Sequence, residues 1–586
     1  MKWTFASEPG QDTADIERLA KAIGLGVPAT RVLWSRGHRT IEYARRFFAP
    51  TLEDLYPAGL LKDMDRAVDR LERAITQHEK ILLYGDYDVD GTSAVVVLKK
   101  GIELLGGQAS FHVPHRLRDG YGMRSEVVEE AAAAGVALIV SVDTGIRANL
   151  VVEHARSLGI DVIVTDHHLP EAELPPAVAV LNPNRPDCTY PEKNLCGAGV
   201  AFKLMDALAV RFGWVGAKRA RLLDSFLKLV AIATVADVVP LTGENRVIVK
   251  RGLEGLNEVR NPGLRALLDV SGFPAGEPTP SASQIAFRVA PRINAAGRMD
   301  SASDVIEMFL TDDPQRAKML AEKLHELNKD RQQTEADIAQ TILKICTEVP
   351  VTDEDSALVF AGDNWHRGVV GIAASRVVER YHRPVFILSI ENGIAQGSGR
   401  SISAFHLLEA LESMPELFTK FGGHKQAAGL TMDAANVVEF RARMQAYAAA
   451  RLTSADFERE LILDGEIAFH EITDDAVAEI LRLAPFGMGN PAPMFVLRGV
   501  EVAAPPDIKN EKHIFARFRQ GPGRQQLRAK AWNFAERAGE LMPGAPVDLV
   551  VQFEDDAYSA ARGYAPWQTI IRDIRPAAAT RTAAPK

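Results

Sequence analysis

The stretch ILLYGDYDVDGTSA, residues 81–94, constrains this chain more than any other. A short apolar run ends at Gly85. Aspartates follow at alternate positions, Asp86, Asp88 and Asp90, and a helix-compatible segment starts at once. Short apolar runs bounded by Gly and Asp are how strands buried on both faces of a parallel sheet read. Three carboxylates within five residues repel one another unless a cation neutralises them. The spacing argues against an EF-hand calcium loop. Asp86–Gly91 fits its opening, but the twelfth position, which needs a bidentate Glu, is Val97, and the element upstream reads as strand.

The same texture recurs in VALIVSV (136–142), IDVIVT (160–165) and VAVLN (178–182), with Ser93–Leu105 and Arg124–Ala134 as crossover helices. A βαβ series of this kind predicts an α/β domain whose strand ends converge on one crevice. VSVDTG brings Asp143 there, and VTDHH brings Asp166, His167 and His168. Asp237, in TVADVVP, follows the apolar run 226–236. Taken singly, Asp143 reads as an N-cap, His167 as a satisfied core histidine and Asp237 as a turn residue. Four such sites at successive element ends make a metal centre the stronger reading. Oxygen ligands with one or two imidazoles and no thiolate suit Mn²⁺ or Mg²⁺ better than structural Zn²⁺. The three cysteines, Cys188, Cys196 and Cys346, lack CxxC spacing, so no disulfide and a reducing compartment are expected.

The rest of the 586 residues predicts several further domains. Residues 1–80 read mostly as helix, with Thr40 capping one segment and Met64–Ile75 forming another. A helical stretch covers about 200–265, and 271–300 reads as loop. A long polar helix starts near Pro314, capped by Asp312 or Asp313, and runs to about Ile345 with a Leu320, Leu324, Leu327 stripe. It is either a strut between domains or an ordinary surface helix. A second α/β segment follows: strand 357–361, helix 370–380, strand 384–390, then Gly-rich turns. From Leu461 on, alternating runs (MFVLRGVEV, HIFARFR, LRAKAWNF, VDLVVQFE, QTIIRDI) predict antiparallel strands closing a small barrel.

The motifs DYDVDG, DTG, DHH and ADVVP, in this order, resemble those of the DHH phosphoesterase family. RINAAGR (292–298), GSGRS (397–401), GGHKQAAG (422–429) and LAPFGMGNPAPMF (483–495) extend the likeness to the family's single-strand-specific exonucleases. The resemblance implies an α/β fold, with a parallel-sheet DHH domain and a smaller α/β DHH-associated domain joined by the long helix, and then an OB-fold β-barrel. The expected divisions are a helical extension 1–55, the catalytic domain 56–270, a linker with the long helix 271–346, the DHH-associated substrate-binding domain 347–458, the OB-fold 459–575 and a disordered tail 576–586. The sequence ends after the OB-like segment, where some relatives carry a further domain.

For the site, the resemblance implies two divalent metal ions, Mn²⁺ or Mg²⁺, held by Asp86, Asp88, Asp90, Asp143, His167 and Asp237. Asp88 and Asp143 would lie close to both ions. His168 would contact phosphate or give a proton, and Asp166 would fix His167. Asp88, Asp143, His167 and His168 are the expected catalytic set. Arg116, Ser398 and Arg400 would receive a 5′-phosphate, with Gly423 and His424 near the scissile phosphate and Arg292, Asn294 and Arg298 lining the same passage. GSGRS and GGHKQAAG read either as phosphate-cradling turns or as tight turns only.

The implied activity is a 5′→3′ exonuclease on single-stranded DNA that releases mononucleotides and serves repair and recombination. A phosphoesterase for short oligonucleotides or small phosphates is the alternative, and a non-catalytic scaffold would have lost the acidic motifs. A net charge of −9 argues against a basic coat for duplex DNA but not against one local groove. Residues 505–530 hold seven basic side chains, Lys509, Lys512, Arg517, Arg519, Arg524, Arg528 and Lys530, against Asp507 and Glu511. With Phe515, Phe518 and Trp532 interleaved they predict a strand-binding face, some of the rings being core instead. The N-terminus shows no signal peptide and no apolar run is long enough for a membrane span. A soluble cytoplasmic monomer is expected, acting on strands with a 5′ end beside a single-strand-binding protein and a helicase.

Overall fold

The computed structural model describes residues 1–577 except 9, 117 and 522–525, so Arg524 and the tail from 578 on lie outside the described residues. The chain divides into two compact units. One holds Leu55–Val239 and Ile248–Arg459, the other Met1–Asp54, Pro240–Val247 and the chain from Glu460 on.

In the larger unit, β1 (Lys80–Tyr84), β2 (Ala109–His112), β3 (Val136–Val142), β4 (Asp161–Thr165) and β5 (Ala179–Leu181) form one parallel sheet in the order 2-1-3-4-5. The order reverses between β1 and β3, which opens a crevice at their carboxyl ends. The short edge strand β2 escapes sequence reading because Phe111 is the one strongly apolar residue among its four. Helix α1 (Val89–Leu104) is apolar on several sides because it lies between the sheet and further helices. Among these are α2 (Gly197–Arg211) and α3 (Gly216–Ala236).

The segment expected as loop over 271–300 is a helix in its second half, ending in α4 (Ala290–Met299). A Ser281–Gln284 capping box starts this run, and Pro291 falls in the first turn of α4, where it is tolerated. Helix α5 (Pro314–Glu348), capped by Asp313, supports the strut reading. Its first half packs on the helices preceding it, and Ile338, Ile342 and Cys346 enter the core of the next sheet.

That sheet comprises β6 (Leu358–Asp363), β7 (Val385–Glu391), β8 (Ile394–Arg400), β9 (Lys420–Gly423) and β10 (Ala427–Asp433), ordered 9-10-8-7-6 and parallel only between β6 and β7. Helix α6 (Val370–Tyr381) covers one face. GSGR is therefore strand, not turn. Gly397 and Gly399 are demanded by packing, since added Cβ atoms would lie 2.1 Å from the Ile387 carbonyl and 2.5 Å from the Phe386 ring.

In the smaller unit, β11 (Met494–Val502), β12 (His513–Arg519), β13 (Leu527–Ala531), β14 (Pro546–Asp555) and β15 (Trp567–Pro576) close in the order 11-12-13-15-14-11, parallel only at β13–β15. This is the five-stranded barrel of an OB-fold. Its core is shared: Leu19, Ala29, Val32, Leu33, Ala44 and Phe47 from the N-terminal helices join Phe495, Phe518 and Val551 in one cluster. Among the described residues no helix is long and apolar enough to cross a membrane.

Candidate active site

The acidic residues meet because each follows a strand or helix that ends at the crevice. Asp88 caps α1, accepting from the Asp90 and Gly91 backbone at 2.9 and 3.0 Å. Asp90 lies in the first turn, and its two oxygens accept from Gly197 N at 2.6 Å and Ala198 N at 2.8 Å, so it also caps α2. Asp143 follows β3 in the left-handed region, φ 58°. Asp237 ends α3.

Single ligand atoms from three groups lie within 4.8 Å of one another: Asp86, Asp88 and Asp143; Asp90, His167 and Asp237; and Asp143, His167 and His168. All six expected ligands are thus in one cluster. Asp143 and His167 each belong to two groups, whereas Asp88, expected between both ions, belongs to one. Asp166 does not hold the ring of His167. Its Oδ1 takes the His167 and His168 backbone N–H groups at 2.7 and 3.1 Å, and the chain turns so that His168 Nδ1 folds back onto it at 2.7 Å.

The donor set fits divalent cations. Asp86 Oδ1, Asp143 Oδ1 and His167 Nε2 are buried without a hydrogen-bond partner. Burial, then the neighbouring carboxylates, push Asp86 up to about 8 and Asp237 up to about 9, and raise Asp143 far above the ordinary range. Burial lowers His167, keeping a neutral imidazole that can ligate. Burial also opposes charge on His168, but the bond to Asp166 outweighs it and the net shift is upward. Carboxylates this crowded hold their charge only with cations between them.

Beside them lies a cationic cluster. The Arg116 guanidinium stacks 4.0 Å from the Tyr87 ring, and its Nε is buried without a partner. Arg298 donates to the Gly368 carbonyl at 3.1 Å. Burial, then Arg116 and Arg400, lower it to about 9. Burial and Arg116 likewise lower Arg400. Ser398 and Arg400 share one face of β8 and point at Gly371 in α6, where a Cβ would lie 3.0 Å from Arg400 Nη2. A cavity of about 360 Å³ borders Arg400, His424 and Ala427. Gly423, with φ 145°, ends β9, and His424 follows in the turn. The ladder already uses the backbone of Gly397 and Gly399, so these glycines cradle no phosphate. Asn294 accepts from Val89 N at 3.2 Å and shares its side of α4 with Arg298. Arg292 projects from the other side and donates to His325 Nδ1 at 3.1 Å.

Sequence reading missed Gly197, Gly297 and Tyr121. A Cβ on Gly197 would lie 2.6 Å from the Asp143 Cβ, and one on Gly297 would lie 2.4 Å from the Tyr87 carbonyl. Tyr121 donates to the Asp143 carbonyl at 3.2 Å and sits 3.3 Å from His168 Nδ1. The small residues opening α2, in CGAGV, were the available signal.

On the barrel, β12 and β13 turn Phe515, Arg517, Arg528 and Lys530 outward, with Arg517 directly opposite Arg528. Phe518 is core, whereas Trp532 is 41 % exposed and packs edge-on against His513. Arg519 is engaged by Glu501 and Lys509 by Asp507, while Lys512 is exposed.

Comparison with known proteins places these features. Residues 80–234 match the DHH family, N-terminal domain, residues 354–450 the DHHA1 domain, and residues 463–573 the RecJ OB domain. The chain is 36 % identical to the single-stranded-DNA-specific exonuclease RecJ of Bacillus subtilis, over 94 % of this chain and 68 % of that protein. It is 40 % identical to RecJ of Dickeya dadantii, over 79 % and 82 %. The crystal structure of Thermus thermophilus RecJ in complex with Mn²⁺ superposes with a TM-score of 0.83 at 33 % identity, covering 99 % of this chain and 80 % of that one. The Mg²⁺ complex gives 0.77 at 31 % identity, over 99 % and 79 %.

Proposed function

The chain belongs to the RecJ family of single-stranded-DNA-specific exonucleases, and from that premise we propose that it removes 5′-mononucleotides stepwise from the 5′ end of single strands. The observation that carries the chemistry is the set of buried atoms without a hydrogen-bond partner in one acidic cluster, Asp86 Oδ1, Asp143 Oδ1 and His167 Nε2.

Two divalent ions, Mn²⁺ or Mg²⁺, bound among Asp86, Asp88, Asp90, Asp143, His167 and Asp237 would lower the pKa of the attacking water and neutralise the scissile phosphate. His168 keeps its Nδ1 proton on Asp166, which leaves Nε2 to contact phosphate or to give a proton to the departing 3′ oxygen. Arg116, Ser398 and Arg400 receive the terminal 5′-phosphate. Three mutually repelling guanidiniums, Arg116, Arg298 and Arg400, are relieved by an anion between them. Asn294 and Arg298 line that passage, with Gly423 and His424 at its edge.

The domain divisions given from sequence serve this reading. The OB-fold holds the longer strand through Arg517, Arg528 and Lys512, with Arg519 and Lys509 available on exchange of their carboxylate partners. Its presence separates the chain from a phosphoesterase of small phosphates. The chain works as a cytoplasmic monomer in repair and recombination, alongside a single-strand-binding protein and a helicase.

Digestion of 5′-phosphorylated strands labelled at either end tests the proposal. With Mn²⁺, a 5′ label should leave in the first turnover as mononucleotide, while a 3′-labelled strand shortens stepwise and duplex persists. Release beginning at the 3′ end, or digestion that survives chelation, overturns it.

A further inference from the structure

The helical run that carries Asn294 and Arg298 opens with a widened turn. Residues Ile285–Val289 are π-helical, between Ala282–Gln284 and α4. Pro291 accounts for it: proline offers no N–H to the carbonyl four residues back, and its ring would collide with that carbonyl, which belongs to Phe287. A π-turn relieves both problems, and such turns recur at functional sites. Here it leaves Phe287 75 % exposed.

One exposed apolar side chain means little alone. Its neighbours give it a context. Arg288 is braced in place: its guanidinium lies 4.3 Å over the Phe273 ring, and Gly272, with φ +83°, leaves room where a Cβ would be 2.2 Å from Arg288 Nη2. Arg292, one turn on, donates to the Arg288 carbonyl and to His325 Nδ1. Burial and then the charge of Arg288 lower Arg292. Burial, Arg292 and Lys329 lower His325. Among the described residues no carboxylate pairs with Arg288 or Arg292. Glu326, which acts on His325, is bonded to Lys329 at 2.7 Å. The patch thus carries an open aromatic ring and two ordered, unneutralised guanidiniums on two successive turns of one helical run.

We propose that Phe287, Arg288 and Arg292 form a platform for a second segment of the single strand, the ring stacking on a base and the guanidiniums holding the flanking phosphates. Stacking on a ring tolerates any base, as an enzyme that draws every sequence past one point requires. Arg292 stands six residues before Arg298, about 9 Å along the helix axis. The two side chains leave the helix about 120° apart, and with that axial separation platform and cleft engage different nucleotides. The inference rests on the reading of the chain as a single-strand nuclease.

The test uses the full chain with Mn²⁺ and 5′-phosphorylated substrates of about 20 and 3 nucleotides. Phe287→Ala should lower the long-to-short ratio of kcat/KM about tenfold, chiefly through KM, because one stacked base is worth about 1–3 kcal/mol and about 1.4 kcal/mol is tenfold. Phe287→Trp should restore the ratio. Arg288→Gln should reduce by about 1 the slope of log affinity against log salt. A ratio unchanged in Phe287→Ala, including equal losses on both lengths, overturns the platform. So does failure of Trp to rescue. A wild-type protein that leaves both substrates intact overturns the nuclease reading instead.

Discussion

At the scale of the residue, the active site is made of charges that should not tolerate one another. Asp86, Asp143 and Asp237 are all raised by burial and by mutual repulsion, so the metal-free protein is destabilised by its own site. Asp143→Asn should therefore leave the metal-free melting temperature equal or higher. It should also shrink the rise on adding Mn²⁺ and cut single-strand hydrolysis by at least about a hundredfold, since losing even an outer partner of a metal ligand costs 10–100-fold. Melting curves with and without Mn²⁺, beside turnover, check it; an undiminished Mn²⁺ shift in the variant removes Asp143 from the site. Gly197→Ala should imitate this loss without removing a charge, because its Cβ would displace the Asp143 side chain. Restored activity would have to come from movement of the α2 N-terminus, visible as loss of the Asp90 caps. The convergence of the aspartates was legible because carboxylates at successive element ends meet in one crevice. Gly197 and Tyr121 were not, because their roles are steric and arise from chain segments far from the motifs they touch.

At the scale of the element, glycine and proline misled the sequence reading in opposite directions. Gly397 and Gly399 look like turn residues but sit in mid-strand, because the β7–β8 pairing admits no side chain there. Pro291 looks like a helix breaker but falls where a first turn tolerates it. Helix α5 was legible from its cap and length, yet its polar face hid a buried network. Arg331 bonds Asn328 at 2.8 Å and Glu335 at 2.7 Å, and Glu335 reaches Arg376 of α6 at 2.9 Å. Charge at helical spacing reads the same whether it faces solvent or a neighbour, so no periodicity reveals it. Glu335→Ala would strand a guanidinium whose side chain is 9 % exposed. Breaking such a pair typically costs about 3–5 kcal/mol. Denaturant unfolding should register a loss of that order, and Arg376→Ala, which leaves the Arg331–Glu335 bond intact, should cost less. Equal costs would place the pair's energy outside the buried bond.

At the scale of the whole molecule, a net charge of −9 coexists with a nucleic-acid enzyme because much of the acid is local. Five of the six proposed ligands are aspartates, and bound cations reverse the sign there. Four of the five barrel strands were legible from alternation to within two residues, while LRAKAWNF overran its strand by three and the expected antiparallel pairing failed at β13–β15. The partner of the N-terminal helices was not legible, because amphipathicity shows that a face is buried, not against what. Those helices supply part of the barrel's core, so removing 461–586 alone would expose Ala29, Val32, Leu33 and Phe47. The same unit holds a pH-sensitive contact. His38 stacks 4.2 Å from Phe47, and burial, then Arg246 and Arg36, push it down to about 4. Arg246 is itself fixed on the Phe47 and Leu483 carbonyls at 2.7 and 2.9 Å, so it cannot withdraw when the ring is protonated. The unfolded chain takes up this proton near the ordinary value of 6.5, and the folded chain refuses it until about 4. Stability from this residue is therefore complete above pH 6.5 and lost as pH falls towards 4. Wild type should lose a few degrees of melting temperature between pH 7 and 5 that His38→Gln does not lose. Parallel pH profiles for the two proteins would assign the acid sensitivity to other groups.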